Sequence, residues 1–348
     1  MFLAGDIGGT KTLLALVEPE KSGAPGHRIL TERFQRRFSS ADYPSLDSII
    51  AEFLASIPGQ RPGIQAACFG VAGAIHEGRC RATNLPWSMD ERELAKALGC
   101  DPARVKLLND VEATAYGLLF LKPDEWVELN PGAVDSGEGN IAVVAAGTGL
   151  GESILYWDGK SHHPMASEGG HCSFAPQSEL EVELWRYLRG KFSGHVSYER
   201  ILSGQGFFDL FDFLAQTGRW PQSDAARQKL QEAAREGGTA ARNAMVTRLA
   251  LEAKDPLCLQ AVGLFISIYG AEAGNMALKC VARGGVFLAG GIAPKMVEAF
   301  TLGSFLEGFM AKGRFASMLR NTRVRLALNQ EAGLLGAGHY AADHLATA

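Results

Sequence analysis

The feature that most constrains this chain is a strand–glycine turn–strand unit that occurs twice. Phe2 to Ile7 reads as a short buried strand, Gly8-Gly9-Thr10 as a turn, and Thr12 to Val17 as a β-branched and aliphatic returning strand. The pattern recurs at Ile141 to Ala146, the turn Gly147-Thr148-Gly149-Leu150-Gly151, and Ser153 to Trp157. A glycine hairpin near the start of each half predicts two related domains facing a cleft. The chain has 41 glycines in 348 residues, above the roughly 7% of ordinary chains. They cluster in pairs, which marks turns whose backbone passes close to something.

Around these hairpins, strand and helix patterns alternate, the signature of α/β layers. Helical spacing is expected over residues 44 to 57, with Leu46, Ile49, Ile50, Phe53, Leu54 and Ile57 on one face, over 90 to 98, and from Val111 to Leu121. Ile64 to Val71 and Val105 to Leu108 read as strands. In the second half, Phe207 to Leu251 is helical with breaks at Pro221 and Gly237-Gly238. Ala261 to Ala282 is a long apolar helix. Val286 to Ala289 is a strand running into Gly290-Gly291, and a helix follows from Lys295. Val324 to Leu328 is a last strand and Gly333 to Ala342 a last helix. The expected division is a small domain of residues 1–110 plus 331–348 and a large domain of 111–330. The large domain carries the helical section 207–251, whose phenylalanines are expected to be core.

A length near 350 suits two domains at about 150 residues each. The formal net charge of -4 and the pI of 6.1 argue against a nucleic-acid or anionic-membrane binder working through bulk charge. No uncharged apolar run reaches the roughly 18 residues of a membrane span; the nearest, Leu257 to Ala271, ends at Glu272. None of the six cysteines stands in C-x-x-C spacing, which excludes a zinc ribbon and a thioredoxin-like pair. With no basic segment and apolar run after Met1 to suggest a secretory signal, the expectation is a reduced, cytoplasmic protein.

Gly5 to Thr12 invites a phosphate-loop reading, but G-x-x-x-x-G-K-[ST] needs glycine where Thr10 stands, and it must open a helix. The segment Thr12 to Val17 is a strand, so that reading fails. The alternative is a hairpin turn whose backbone N–H groups face phosphate oxygens. Gly8 and Gly9 allow close approach and Thr10 adds a hydroxyl. Asp6, at the strand end, can hold Mg²⁺ through water. The Gly147 to Gly151 turn could clamp the same polyphosphate, and Gly290-Gly291-Ile292 could back an adenosine. Asp110, at a strand end and a helix start, is either a helix cap or an ionised carboxylate able to accept a proton. Glu168-Gly169-Gly170-His171 has E-x-x-H spacing, but its two glycines argue against a metal-binding helix. A loop with one carboxylate and one imidazole suits sugar hydroxyls, which both donate and accept. Glu199, on the residues alone, reads as a surface helix position.

Taken together, these loops resemble the sugar kinase, Hsp70 and actin ATPase superfamily, and more closely the bacterial glucokinase family. The matching segments are Gly5 to Thr10, Ala82-Thr83-Asn84-Leu85-Pro86-Trp87, Leu108-Asn109-Asp110, Ala146 to Gly151, Ser167 to His171, Ser197 to Gly204 and Ala289 to Ile292. The resemblance implies a two-domain actin-like ATPase (ribonuclease H-like) fold with a central cleft. It implies phosphorylation of the glucose 6-hydroxyl by ATP with Mg²⁺. Asn109 and Asp110 would be the hexose-binding pair, with Asp110 the general base. Glu168, His171 and Glu199 would contact the sugar, with Asn84 nearby. Gly5, Asp6, Ile7, Gly8, Gly9, Thr10, Gly147, Thr148, Gly149, Gly290 and Gly291 would form the nucleotide site. It also implies a homodimer.

The related repressor and kinase family places a cysteine-rich zinc motif after this histidine. Here His171-Cys172-Ser173-Phe174 continues without it, so structural zinc is not expected. The alternative within enzymes is a hexose kinase accepting mannose, fructose or glucosamine. A nucleotide-driven conformational module would lack the acid–imidazole cluster. A sugar-sensing regulator would need a DNA-binding extension before the first loop, for which five residues before Asp6 leave no room.

Overall fold

A strand with apolar side chains on both faces must be covered on both faces, and β1 (Phe2–Ile7) is buried at every position except Asp6. The computed structural model describes residues 1–20, 29–60, 62–133 and 137–346. By its internal contacts the chain forms two units. The first is Met1–Lys122 with His163–Ala166 and Glu331–Ala348; the second is Pro123–His162 with Ser167–Gln330.

In the first unit, β1 pairs antiparallel with β2 (Lys11–Pro19), which pairs with β3 (Leu30–Ser39). Beyond a helix, α1 (Leu46–Ala55), β4 (Ala66–Val71) lies parallel to β1. A small sheet of β5 (Ile75–His76), β6 (Arg79–Arg81) and β7 (Ser88–Asp90) follows. Next come α2 (Glu91–Leu98) and β8 (Val105–Asn109), which lies parallel to β4. The sheet order is β3-β2-β1-β4-β8.

The period-two alternation of β1 sorts its side chains. Leu3 and Ile7 join a core with Phe53, Phe69 and Leu94 from the side of α1 and α2. Phe2 and Ala4 join a second core with Ala113, Leu334 and Ala337. That second core comes from α3 (Asp110–Leu118) and a late helix, Ala332–Tyr340. Gly117 and Gly336 lie where these two helices pack, and a side chain on either would collide with the other helix's backbone. This packing holds α3 in the first unit, so its main segment ends at Lys122, not at the expected 110. Residues 347 and 348 of the expected C-terminal segment lie outside the described residues.

The second unit repeats the theme. β9 (Trp126–Glu128), β10 (Ile141–Ala146), β11 (Leu150–Trp157), β12 (His162–Met165), β13 (Gly285–Ala289) and β14 (Val324–Ala327) make a sheet of order β12-β11-β10-β13-β14-β9. β10 is antiparallel to β11 and parallel to β13, as β1 is to β2 and β4. The turn is shorter than expected, because Leu150 and Gly151 already pair within β11.

The helices of this unit are α4 (Glu179–Phe192), α5 (Gly204–Thr217), α6 (Asp224–Leu251), α7 (Pro256–Cys280), α8 (Val297–Thr301), α9 (Ser304–Met310) and α10 (Ala316–Arg320); the helix Ala332–Tyr340 is α11. α6 leaves helical geometry at Gly237 and Gly238. The single helix expected from Lys295 is broken, with Gly303 at φ 103° between α8 and α9. α7 starts with Pro256 in its first turn behind an Asp255 cap. It is long and apolar enough to cross a membrane by length and composition, but 72% of that stretch is buried inside the protein. Phe207, Phe211 and Phe213 of α5 are buried in the same core.

Candidate functional site

The first hairpin closes through the Gly8 N–H, which donates to the Lys11 carbonyl at 2.9 Å. Ser40 fastens it from the end of β3: its hydroxyl donates to the Gly8 carbonyl at 2.7 Å and lies 3.0 Å from the Thr12 hydroxyl. Thr10 is exposed at the tip. Gly9 packs on Asn84 of the β6–β7 loop, where a Cβ on Gly9 would come within 2.7 Å of the Asn84 Cβ. Asn84, expected near the sugar, thus sits against the hairpin expected to hold phosphate. Gly5 and Ile7 lie inside the sheet: Ile7 is buried, and Gly5 makes room for Phe69 and Leu14. Their structural contribution to the hairpin is through its frame.

Asp6 alternates onto the α11 face. Its carboxyl pKa is pushed up by burial, pulled down by Lys11, and raised again by Glu331. Asp6 and Glu331 are near enough to repel each other, and carboxylate oxygens are the donors that suit a hard divalent cation.

At the same end of this sheet, two strands across from β1, the residue capping α3 is Asn109. Its side-chain oxygen accepts from Val111 N–H at 2.9 Å, and Glu112 accepts from Asn109 N–H at 3.0 Å, completing a capping box. Its amide also donates to the Gly73 carbonyl at 3.3 Å. Asp110 is therefore the first helical residue, half-buried, with Oδ1 accepting the Val111 N–H at 3.0 Å. An anion in the first turn of a helix is favoured by the helix dipole.

In the second unit three loops converge. The Gly147 N–H donates to the Gly149 carbonyl at 2.8 Å, and the Gly147 carbonyl accepts from Gly204 at the start of α5 at 3.0 Å. Ile292 N–H donates to the Ala146 carbonyl at 3.2 Å, which brings Gly290-Gly291 beside this loop. Gly290 has φ 86° and lies against the Ala146 backbone, so only glycine fits there without strain. Thr148 is exposed. Beneath, the buried Tyr269 of α7 donates from its hydroxyl to the Val144 carbonyl at 3.1 Å and accepts from Ala146 N–H at 3.2 Å.

The Gly169–His171 segment is a 3₁₀ turn, not a longer helix. A bridge between Ser173 and Ser197, and a bond from Tyr198 N–H to the Cys172 carbonyl at 3.1 Å, lay it beside the Tyr198–Arg200 turn. His171 consequently stands between two acids: its Nε2 is 3.8 Å from Glu168 Oε2, and its Nδ1 is 3.8 Å from Glu199 Oε1. Both separations exceed hydrogen-bond length, and His171 and Glu168 are exposed. Their polar atoms remain open to a hydroxyl-rich ligand. The other oxygen of Glu199 accepts the Leu150 N–H at 3.0 Å. Glu199 thus joins the acid–imidazole cluster to the second glycine loop.

Sequence reading missed Ser40, Tyr269, Gly204 and the buried Glu152 of β11. An acid in an otherwise apolar strand and a tyrosine in an apolar helix were available signals; Ser40 offered none.

A family model described as Glucokinase matches residues 3–344. The chain is 41% identical to a glucokinase of Synechocystis sp., covering 98% of each chain. It is 39% identical to one of Nostoc sp., covering 98% of this chain and 99% of that one. A crystal structure of a glucokinase from an Antarctic psychrotroph superposes with a TM-score of 0.80 at 29% identity, covering 99% of this chain and 98% of that one.

Proposed function

The chain belongs to the glucokinase family, and from that premise we propose that it transfers the γ-phosphoryl group of ATP to the 6-hydroxyl of D-glucose, with Asp110 as general base. It is an ATP-dependent hexose kinase with the actin-like ATPase fold. The observation that carries the residue-level reading is the open Glu168–His171–Glu199 cluster, fastened by Glu199 to the Gly147 loop.

Phosphoryl transfer asks a protein for positioning and charge stabilisation. Glu168, His171 and Glu199 hydrogen-bond sugar hydroxyls and orient the ring, with Asn109 and Asn84 contributing. Asp110 accepts the proton of the attacking hydroxyl as the oxygen–phosphorus bond forms. The backbone N–H groups of Gly9, Thr10, Thr148 and Gly149 and the hydroxyls of Thr10 and Thr148 hold polyphosphate oxygens, while the N–H groups of Gly8 and Gly147 close their own turns and shape the two loops. Gly291, with open space where a side chain would stand, leaves room for the adenosine, and Gly290 lets its turn sit on the Ala146 backbone. Asp6 would hold Mg²⁺ through water, and its proximity to Glu331 supports this because a cation relieves their repulsion. Bound there, Mg²⁺ would neutralise polyphosphate charge.

We also propose a cytoplasmic homodimer that works in glycolysis and binds neither nucleic acid nor membrane. Its net charge of -4 and its free cysteines support this reading. The test is ATP consumption in a coupled assay over a panel of glucose, mannose, fructose and glucosamine. Glucose is expected to give the highest kcat/KM. Equal values across the panel would replace it with the broader hexose kinase, and no sugar-dependent consumption would overturn both.

A further inference from the structure

Glu152 stands in β11 with 1% of its surface exposed, and Glu272 stands in α7 with none. Among the described residues, neither oxygen of Glu152 meets an N–H or O–H donor. The Glu272 carboxyl lies near enough to push the pKa of Glu152 up. Two ionised carboxylates only accept and repel each other, so this buried neighbourhood is favourable only if one of them carries a proton. Glu272 has its own donors: Asn275 Nδ2 at 2.7 Å, Lys279 Nζ at 3.2 Å and the Tyr198 hydroxyl. The proton therefore sits on Glu152.

This pair touches both segments that build the acid–imidazole cluster. Gly169 rests on Glu152: a Cβ there would lie 3.1 Å from the carboxyl carbon and overlap one oxygen. Tyr198, held by Glu272, immediately precedes Glu199. We propose that Glu152 and Glu272 form a buried carboxyl pair that shares one proton and positions the Gly169–His171 turn and Glu199, and so sets the affinity of the cluster for its sugar. This rests on the sugar-binding reading above.

The surrounding charges fit a single shared proton. α7 contributes Glu272, Lys279 and the neutral Tyr269. The adjoining turns contribute Glu168, His171, Cys172, Tyr198 and Glu199. Lys312, after α9, faces Glu272 and Glu181 of α4, and it bonds Asn275 Oδ1 at 2.7 Å. With the open cluster of Glu168, His171 and Glu199 set aside, Glu152, Glu272 and Glu181 against Lys279 and Lys312 leave one excess negative charge, which one proton cancels. Burial and the facing Glu272 push the Glu152 carboxyl up to about 8. The proton is held at neutral pH and lost just above it. Two buried like charges then face each other beneath the turn.

The experiment measures kcat and KM for glucose from pH 6.5 to 9.5 in the wild type, Glu152→Gln and Glu272→Gln. A glutamine amide at position 152 donates to Glu272 without titrating. The wild-type KM is expected to rise about three- to tenfold above pH 8 while kcat changes less. Glu152→Gln is expected to keep the neutral-pH KM within about twofold and remove the alkaline rise. An identical rise in Glu152→Gln, or a flat wild-type profile, overturns the proposal. Hydrogen–deuterium exchange over residues 167–173, corrected for the intrinsic rate, provides a readout without sugar. It should accelerate above pH 8 in the wild type only, and equal acceleration in both proteins overturns the proposal. Glu272→Gln decides the matter if Glu152→Gln fails to fold, since it also breaks the pair and must also flatten the exchange profile. A wild type that phosphorylates no sugar, yet shows the exchange difference, rejects the sugar reading and leaves the pair standing.

Discussion

Asp110 is relieved of helix capping by the residue before it. Asn109 caps α3, so the Asp110 carboxylate is not needed to start the helix. Asp110→Asn should therefore fold normally and lose kcat by about 10²–10⁴, the usual worth of a positioned general base. The KM for glucose should change much less. Unfolding curves and steady-state kinetics check this, and near-normal turnover in the folded variant removes Asp110 from the role. Glu199 makes a different prediction, because one oxygen holds the Leu150 N–H and the other faces His171. Glu199→Gln should raise KM for both glucose and ATP, by about tenfold for glucose, equivalent to about 1.4 kcal/mol. An effect on one substrate alone would mean that Glu199 does not link the two loops. The place of Asp110 between strand and helix was legible in the sequence, but there it stood open between cap and proton acceptor, and the structure gives the cap to Asn109. The linking role of Glu199 was not legible, since its partner lies 49 residues away.

Among the elements, the glycine loops are held from beneath by the helices that carry the core. Tyr269 of α7 bonds both the Val144 carbonyl and the Ala146 N–H, the last rungs before Gly147. Tyr269→Phe leaves that buried N–H without its partner, at about 1–3 kcal/mol. Urea denaturation should show the loss, and the KM for ATP should rise with it. Unchanged stability would show that the loop does not depend on this tyrosine. The core strands β1, β2, β4, β8 and β10 were legible because runs of apolar residues end in turn chemistry. β3 was not, since Arg33, Arg36 and Arg37 on this edge strand dilute its alternation. α4 was missed as well, its apolar face interrupted by charged residues.

For the whole molecule, buried acids set the response to pH. Glu152 and Asp6 both hold their protons more tightly in the folded chain than in the unfolded one. From the ordinary carboxylate range up to about pH 8 these two acids bind more protons in the folded state, so their contribution to stability falls as pH rises, while His344 and the Met1 amino group, both with pKa lowered by burial, contribute in the opposite sense within that window. Glu52 and Asp90 are shifted the other way by their bonding partners, but their contribution is already complete above the carboxylate range. Between pH 5 and 8 the midpoint of thermal unfolding of the wild type should therefore fall relative to that of Glu152→Gln, which lacks the titrating group. Parallel pH profiles in the two proteins would contradict a protonated Glu152.

The sequence alone determined the paired hairpins and the core strands that run into glycine turns, because turn chemistry and apolar periodicity are local properties of consecutive residues, and its motifs carried the family resemblance. Only the tertiary structure decided that α3 belongs with α11, that Asn84 packs on Gly9, and that a buried carboxyl lies under Gly169. Those meetings join residues distant in the chain, and they are set by which apolar faces must be covered and how closely the glycines let backbones approach.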